Sequence, residues 1–290
     1  AEADLVIFVG TRAGGMTTHF WTIPAKGTPT IQVDIDPLVN GRNYPTDVSI
    51  VGDARVTLEK MNELNIPVPK ERVEWLKQVK AICTSYKIDF KEVYESDAYP
   101  IRPERIVNEL SNGMPKNAVI VVDTGHSGMW MGGMFEKRHE GQSYIRSAGH
   151  LGWAFPAALG AKCGAPHRPV VCFMGDLGFW YHMAEVETAV RAGINTITII
   201  NNNNSGNMAK GSISAIYDDQ PTKESQDIWV QNKINFAKIA ENMGAIGIRV
   251  EKANEIAPAF QKALKLDKPV VIDIATDIEI VAPKAWEPKA

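Results

Sequence analysis

The sequence is poor in the features that mark a specialised chemistry or location. Cysteine is scarce. The three present, Cys83, Cys163 and Cys172, lie far apart and form no CxxC pair, so neither a disulfide framework nor a paired-thiol metal site is expected. Cys163 and Cys172 sit in apolar runs and are expected to be reduced and buried. No apolar run reaches the roughly 18 to 20 residues of a membrane span, and the first residues lack the basic start of a signal peptide; the reading is a soluble, cytoplasmic protein. Cationic excess is missing too. A formal net charge of −3 disfavours nucleic acid as a partner and leaves small molecules or proteins. Repeats and low-complexity tracts are absent as well. What remains is an ordinary globular composition, 44% hydrophobic in 290 residues, enough for one large core or two modest ones.

The chain enters a strand almost at once with "AEADLVIFVG" and no initiating Met, which reads as a start in mid-domain. "TPTIQVDID" and "VSIVGDA" read as further strands. "ARVTLEKMNEL" has helical periodicity, with Val56, Leu58, Met61 and Leu64 on one face. Strand and helix in this order predict part of a parallel α/β layer over residues 1–70. A polar, proline-bearing stretch over 71–100 reads as a linker of helix and loop. A larger α/β unit follows over 101–280: helix Pro103–Met114, strand 118–125, small-residue helix 153–164, strand 169–176, helix 182–193, strand 196–202 and a last strand at 269–277. Residues 281–290 read as a tail. The predicted fold class is α/β, a parallel sheet with helices on both faces, preceded by a second, smaller α/β domain.

The chemistry concentrates in "MGDLGFWYHMAEVETAVRAGINTITIINNNNSGN". Strand, helix and strand at this spacing predict a right-handed βαβ unit, so Asp176 and the asparagines emerge at one carboxyl edge, where open α/β sheets bind ligands. A carboxylate, an amide oxygen and a backbone carbonyl are hard ligands suited to Mg²⁺ or Ca²⁺. Mg²⁺ keeps an incomplete protein shell completed by phosphates, and the Leu177-Gly178 turn offers N–H groups to an anion. A phosphate-bearing cofactor is therefore expected. Taken alone, a Gly-Asp strand end is more often a helix cap, and an asparagine run more often a turn. His126, His150 and His182, taken singly, read as structural or pocket-wall residues. Glu185 and Glu187 read as capping or ion-pair residues, and Trp153, Trp180 and Tyr181 as core or subunit contacts.

"GD" followed at this interval by "NN", within "GHLGWAFPAALGAKCGAPHRPVVCFMGDLGF", resembles the thiamine-diphosphate enzymes of the acetolactate synthase and pyruvate oxidase superfamily. The resemblance implies thiamine diphosphate and Mg²⁺, with Asp176, Asn203 and the Ser205 carbonyl as metal ligands. Leu177 stands where that family usually carries a small residue. The resemblance also implies diphosphate contacts from Gly125, His126 and Ser127 of "VVDTGHSGMW" and from Gly175, Leu177 and Gly178. In "SAGHLG" it implies that the Gly149 carbonyl accepts from the cofactor's amino group. Leu151 would lie beneath the thiazolium and bend the cofactor so that its own nitrogen activates the reacting carbon. Residues 1–70 resemble part of the family's central domain, which holds FAD or ADP in some members. Asp34 or Asp36 would then meet a ribose, or else face water. "VGTRAGG" is no dinucleotide fingerprint.

In that superfamily the glutamate that activates the pyrimidine comes from an amino-terminal domain, and no acidic residue here matches that domain's pattern. The expectation is a partner chain, or an amino-terminal half, carrying it, in a dimer or tetramer of such pairs. The implied activity is carbon–carbon lyase or carboligase chemistry on a 2-oxo acid or similar carbonyl. Met129, Trp130, Met131 and Met134 form an apolar group past the phosphate loop that would line a substrate channel or an interface; Met129 and the segment 205–219 are candidate substrate-pocket residues, and Lys210 an anion contact or a solvated charge. A 2-hydroxyacyl-CoA lyase or oxalyl-CoA decarboxylase-like enzyme, and a noncatalytic cofactor-binding or scaffolding subunit, are the alternatives.

Overall fold

The computed structural model describes residues 3–147, 149–220 and 222–283; of the expected tail, 284–290 lie outside the described residues. The chain divides into two compact units, Ala1–Ile82 and Cys83–Ala285.

In the first unit, β1 (Val6–Val9), β2 (Thr30–Asp34) and β3 (Val48–Val51) form a parallel sheet in that order. Helix α1 (Ala54–Glu63) is capped by Asp53, whose side chain accepts from the Val56 N–H at 3.0 Å. The expected apolar face of α1 forms but is not buried: Val56, Leu58 and Leu64 are exposed, because no described residue covers that face within the unit. The carboxylates of Asp34 and Asp36 accept from the N–H groups of Asp36 and Leu38, closing the turn after β2. Helix α2 (Lys70–Asp89), which begins in this unit and ends in the next, buries no residue.

In the second unit, the helices are α3 (Lys91–Tyr94), α4 (Pro103–Gly113), α5 (Gly125–Met134), α6 (Ala154–Gly164), α7 (Asp176–His182), α8 (Glu185–Ala192), α9 (Lys210–Ile216), α10 (Lys223–Asp227), α11 (Phe236–Asn242) and α12 (Ile256–Ala263). The strands are β4 (Val119–Val122), β5 (Ser143–Arg146), β6 (Val170–Gly175), β7 (Ile197–Asn202), β8 (Ile246–Val250) and β9 (Val270–Ala275). All pair in parallel, in the order β5-β4-β6-β7-β9-β8. The central strands are continuous apolar runs because both faces are covered. Ile106, Leu110, Trp130, Met131 and Phe260 pack one face; Phe155, Phe179, Val186 and Phe236 pack the other. Each such side chain contributes about 1.5–3 kcal/mol through burial.

Register positions the site. Val122 pairs with Phe173, and Gly175 with Asn201, so β6 and β7 end within one residue of each other and β4 stops two residues short of β6 at the same edge. From β4 the chain crosses to β5 on one side, while β6 lies on the other. This reversal opens a crevice at the carboxyl edge.

Three expectations are corrected. The helix expected over 182–193 is two: α7 starts at Asp176, directly off the strand, and α8 follows after a break at Met183–Ala184. Cys163 is exposed, because it falls on the solvent side of α6; only Cys172 is buried. Of the two readings of Trp180 and Tyr181, core or subunit contact, core is the one that does not hold: they are 37% and 62% exposed, since α7 turns Phe179 inward instead.

Candidate active site

A cavity of ≈ 280 Å³ opens where β4, β6 and β7 end, and Gly125, His126, Ser127, Leu151, Gly175, Asp176, Leu177, Gly178, Asn203 and Ser205 line it. Gly149 is not among the lining residues; it adopts φ +102° in the loop leading to Leu151. His150 and His182 are outside the lining as well, whereas His126 is part of it.

Asp176 is the buried charge of the cleft, 2% exposed. Its Oδ1 accepts from the Leu177 N–H at 2.7 Å and its Oδ2 from the Ser205 N–H at 3.1 Å. Burial pushes its carboxyl up to about 6; the N–H groups of Leu177, Ser205 and Asn204 pull the other way, and Asp273 adds to the rise. Asn203 Oδ1 accepts from the same Ser205 N–H at 3.1 Å and from the Ser205 hydroxyl at 2.9 Å. Two hard oxygens from neighbouring strand tips therefore converge on one backbone nitrogen. Among the described residues no group of three His, Cys, Asp or Glu side chains forms a metal cluster. An ion here would be held by one carboxylate, amide and carbonyl oxygens, and groups of its own, the donor set that suits Mg²⁺.

The four asparagines do four different things. Asn201 lines the cavity with a buried Oδ1 that has no hydrogen-bond partner among the described residues. Asn202 donates to Asp273 Oδ1 at 2.8 Å and to the Ile234 carbonyl at 2.9 Å, and accepts from the Asn204 N–H. Asn203 faces Asp176 across Ser205. Asn204 takes the left-handed conformation, φ 54°, that turns the chain, and its side chain accepts from the Ile234 N–H. Behind them, Asp273 is fully buried, accepting from the Phe236 N–H at 2.7 Å and pairing with Arg249 Nη1 at 2.8 Å.

Orphaned buried atoms gather on the walls. His126 Nδ1, Trp130 Nε1 and Asn207 Oδ1 join Asn201 Oδ1 without partners among the described residues, and all four residues line the cavity. Buried polar groups are otherwise paired, so this clustering fits a polar ligand. His126 also packs edge-on against Trp130, centroids 5.5 Å apart, and burial holds its pKa below the usual imidazole value. Space is kept by glycine: a Cβ on Gly175 would lie 3.4 Å from Ser127 Oγ, and one on Gly206 3.2 Å from Leu177 Cδ2.

Sequence reasoning did not assign Thr124 and Asn201 to this wall; it placed Trp130 in an apolar group lining a substrate channel or an interface, and Gly206 to Ala209 in a candidate substrate-pocket segment. Asn201 sits inside the quoted run, and Asn207 to Ala209 within the 205–219 segment singled out for a substrate pocket, so a signal was there; Met129 is not part of the lining. Lys210 pairs with Glu279 and lies 5.4 Å from the Trp229 ring centroid.

Residues 123–274 match the family profile described as "Thiamine pyrophosphate enzyme, C-terminal TPP binding domain", and residues 1–61 that of the same enzymes' central domain. A probable acetolactate synthase large subunit of Methanococcus aeolicus is 31% identical over 294 residues, covering 96% of this chain and 48% of its own. A putative thiamine pyrophosphate-containing protein, YdaP, of Bacillus subtilis is 33% identical (94% and 46% covered), and the acetolactate synthase large subunit of Corynebacterium glutamicum 32% identical (94% and 44%). The chain spans about half the length of the curated relatives it matches.

Proposed function

The chain belongs to the thiamine pyrophosphate enzymes, and from that premise we propose that its cleft binds thiamine diphosphate through Mg²⁺ held by Asp176, Asn203 and the Ser205 carbonyl. The observation that carries this reading is the convergence of the Asp176 and Asn203 oxygens on the Ser205 N–H, 3.1 Å each. A carboxylate buried this deeply, whose partners among the described residues are backbone N–H groups, is stabilised by a cation.

When bound, the cofactor supplies an electron sink for breaking or making a carbon–carbon bond beside a carbonyl. The chain's own residues supply the rest. Ser127, Gly125 and the Gly175–Gly178 turn take the phosphate end, and Asn201 and Asn207 offer unpaired acceptors at the wall. Leu151 fixes the shape of the bound group, and with Leu177 and Met208 keeps the reacting carbon out of water, strengthening electrostatic interactions there. Gly149 is proposed to contribute its carbonyl to the pyrimidine end.

The substrate class is a 2-oxo acid or similar carbonyl compound, and the reaction an acetolactate synthase-like lyase or carboligase step; the names of the relatives support this direction. Activity depends on a pyrimidine-binding domain that carries the activating glutamate, supplied by a partner chain or an amino-terminal half, in an oligomer of such pairs. Coverage of about half of each relative supports that dependence. The test is to assay the chain alone and with that half for near-ultraviolet circular dichroism of added thiamine diphosphate with Mg²⁺, and for CO₂ release from pyruvate. Cofactor bands with turnover only in the pair are expected. Cofactor bands without turnover in any pairing would leave a scaffolding subunit, and no bands at all would remove the cofactor assignment.

A further inference from the structure

Asp123, at the tip of β4, is completely buried, and no ion pair involves it among the described residues. Its Oδ2 accepts from the Gly152 N–H at 2.9 Å, and its Oδ1 is buried with no hydrogen-bond partner there. Burial pushes its carboxyl up, against the N–H groups of Gly152, Thr124 and Ala154 and the charge of His150. An unpaired buried carboxylate is costly, and no role assigned so far uses it.

Its neighbours show what it holds. A Cβ on Gly178 would overlap the Asp123 carboxylate, and Leu151 Cδ1 would be 3.4 Å from that same Cβ. Gly152 adopts φ +85°, and a Cβ there would be 2.8 Å from Tyr181 Cβ and 3.0 Å from the Gly178 carbonyl oxygen. Three segments thus meet at one carboxylate: the β4 tip, the loop ending in Leu151-Gly152, and the turn that carries Asp176. Only glycines allow so close an approach. We propose that Asp123 is a positioning residue, whose carboxylate pins the Gly152 backbone and thereby sets the Leu151 side chain against the Asp176–Gly178 turn. This rests on the reading of Leu151 as the residue that shapes the bound cofactor. Holding such a group to within a fraction of an ångström is what catalysis demands; displacement by about 1 Å costs on the order of 100-fold in rate.

The test compares Asp123→Ala, Asp123→Asn and Leu151→Ala, each in the assembly that turns over pyruvate. Hydrogen exchange of the segment Gly149–Gly152 reads the pin without any cofactor. Asp123→Ala raises its exchange about tenfold or more, as loss of a bond to a charged group implies. Asp123→Asn, which keeps an acceptor for Gly152, restores protection. Should Asp123→Ala fail to fold, Asp123→Ser, too short to reach Gly152, replaces it. In turnover, Asp123→Ala loses about 100-fold with thiamine diphosphate and Mg²⁺ affinity within about threefold, and Leu151→Ala added to it costs little more, because both act at one point. Unchanged exchange, or losses that add fully, would overturn the inference while leaving the Leu151 reading intact. Normal turnover in Leu151→Ala would remove the Leu151 reading and, with it, the proposed purpose of the pin.

Discussion

Replacing Asp176 by alanine separates the cost of the cleft from its purpose. Burial pushes this carboxyl from an ordinary 3.8 up to about 6, a rise worth about 3 kcal/mol at 1.36 kcal/mol per unit. The folded protein holds the proton more tightly than the unfolded chain. This group's contribution to stability is therefore fully present below about pH 3.8, declines as pH rises and is lost above about 6. A cation needs the carboxylate, so its affinity strengthens as pH rises through about 6, and binding below that value releases a proton. Urea unfolding with a chelator, from about pH 4.5 to 7.5, should show the wild-type protein losing about 2 kcal/mol through this group, since about 1 kcal/mol is already gone at pH 4.5, and Asp176→Ala lacking that part of the slope. Thiamine diphosphate at a hundredfold its dissociation constant, with Mg²⁺, should then restore about 2.7 kcal/mol to the wild type and nothing to the variant. A variant that keeps the cofactor-linked gain, or keeps the full pH slope, refutes the assignment of Asp176 as the cation's carboxylate.

Arg249→Met should cost about 3 kcal/mol in a denaturant titration, because it leaves Asp273 buried without its cation; a loss under about 1 kcal/mol would show that the Asn202 and Phe236 bonds suffice. Gly178→Ala should lower the melting temperature, by overpacking worth about 1–3 kcal/mol, since its methyl group overlaps the Asp123 carboxylate; calorimetry reads it, and an unchanged melt contradicts the close packing there. An aromatic disulfide reagent should modify Cys83 and Cys163 quickly in the native protein and Cys172 only on unfolding, so three fast thiols would place Cys172 wrongly.

Much of the second unit was legible because its information is local. Val119–Val122, Val170–Gly175 and Ile197–Asn202 are apolar runs bounded by polar tips, and the interval from Asp176 to Asn203 is one strand–helix–strand repeat, so the two oxygens had to arrive at one edge. The resemblance in "GHLGWAFPAALG" and "MGDLGF" supplied a candidate chemistry that periodicity alone does not contain. Other elements were not legible. Gly125–Met134, "GHSGMWMGGM", has four glycines and no amphipathic period, yet it forms α5 because Trp130, Met131 and Met134 are buried against the sheet. The start of α7 at Asp176 was hidden because a helix beginning directly on a strand tip has no spacer to announce it. The exposure of Cys163 depends on which side of α6 meets the sheet, which an apolar run does not specify.

The sequence by itself determined the central strands β4, β6, β7 and β9, the period that brings Asp176 and Asn203 to one edge, and the oxygen chemistry gathered there, because each follows from short-range spacing and side-chain type. Tertiary structure alone decided that β4 lies between β5 and β6, opening the crevice, and that Asn201, Asn207 and His126 keep unpaired atoms on its wall while Asn202 turns away to Asp273. Asp123 could be seen to hold Gly152 only there as well, since that contact joins groups 29 positions apart and exists only once the sheet has set them side by side.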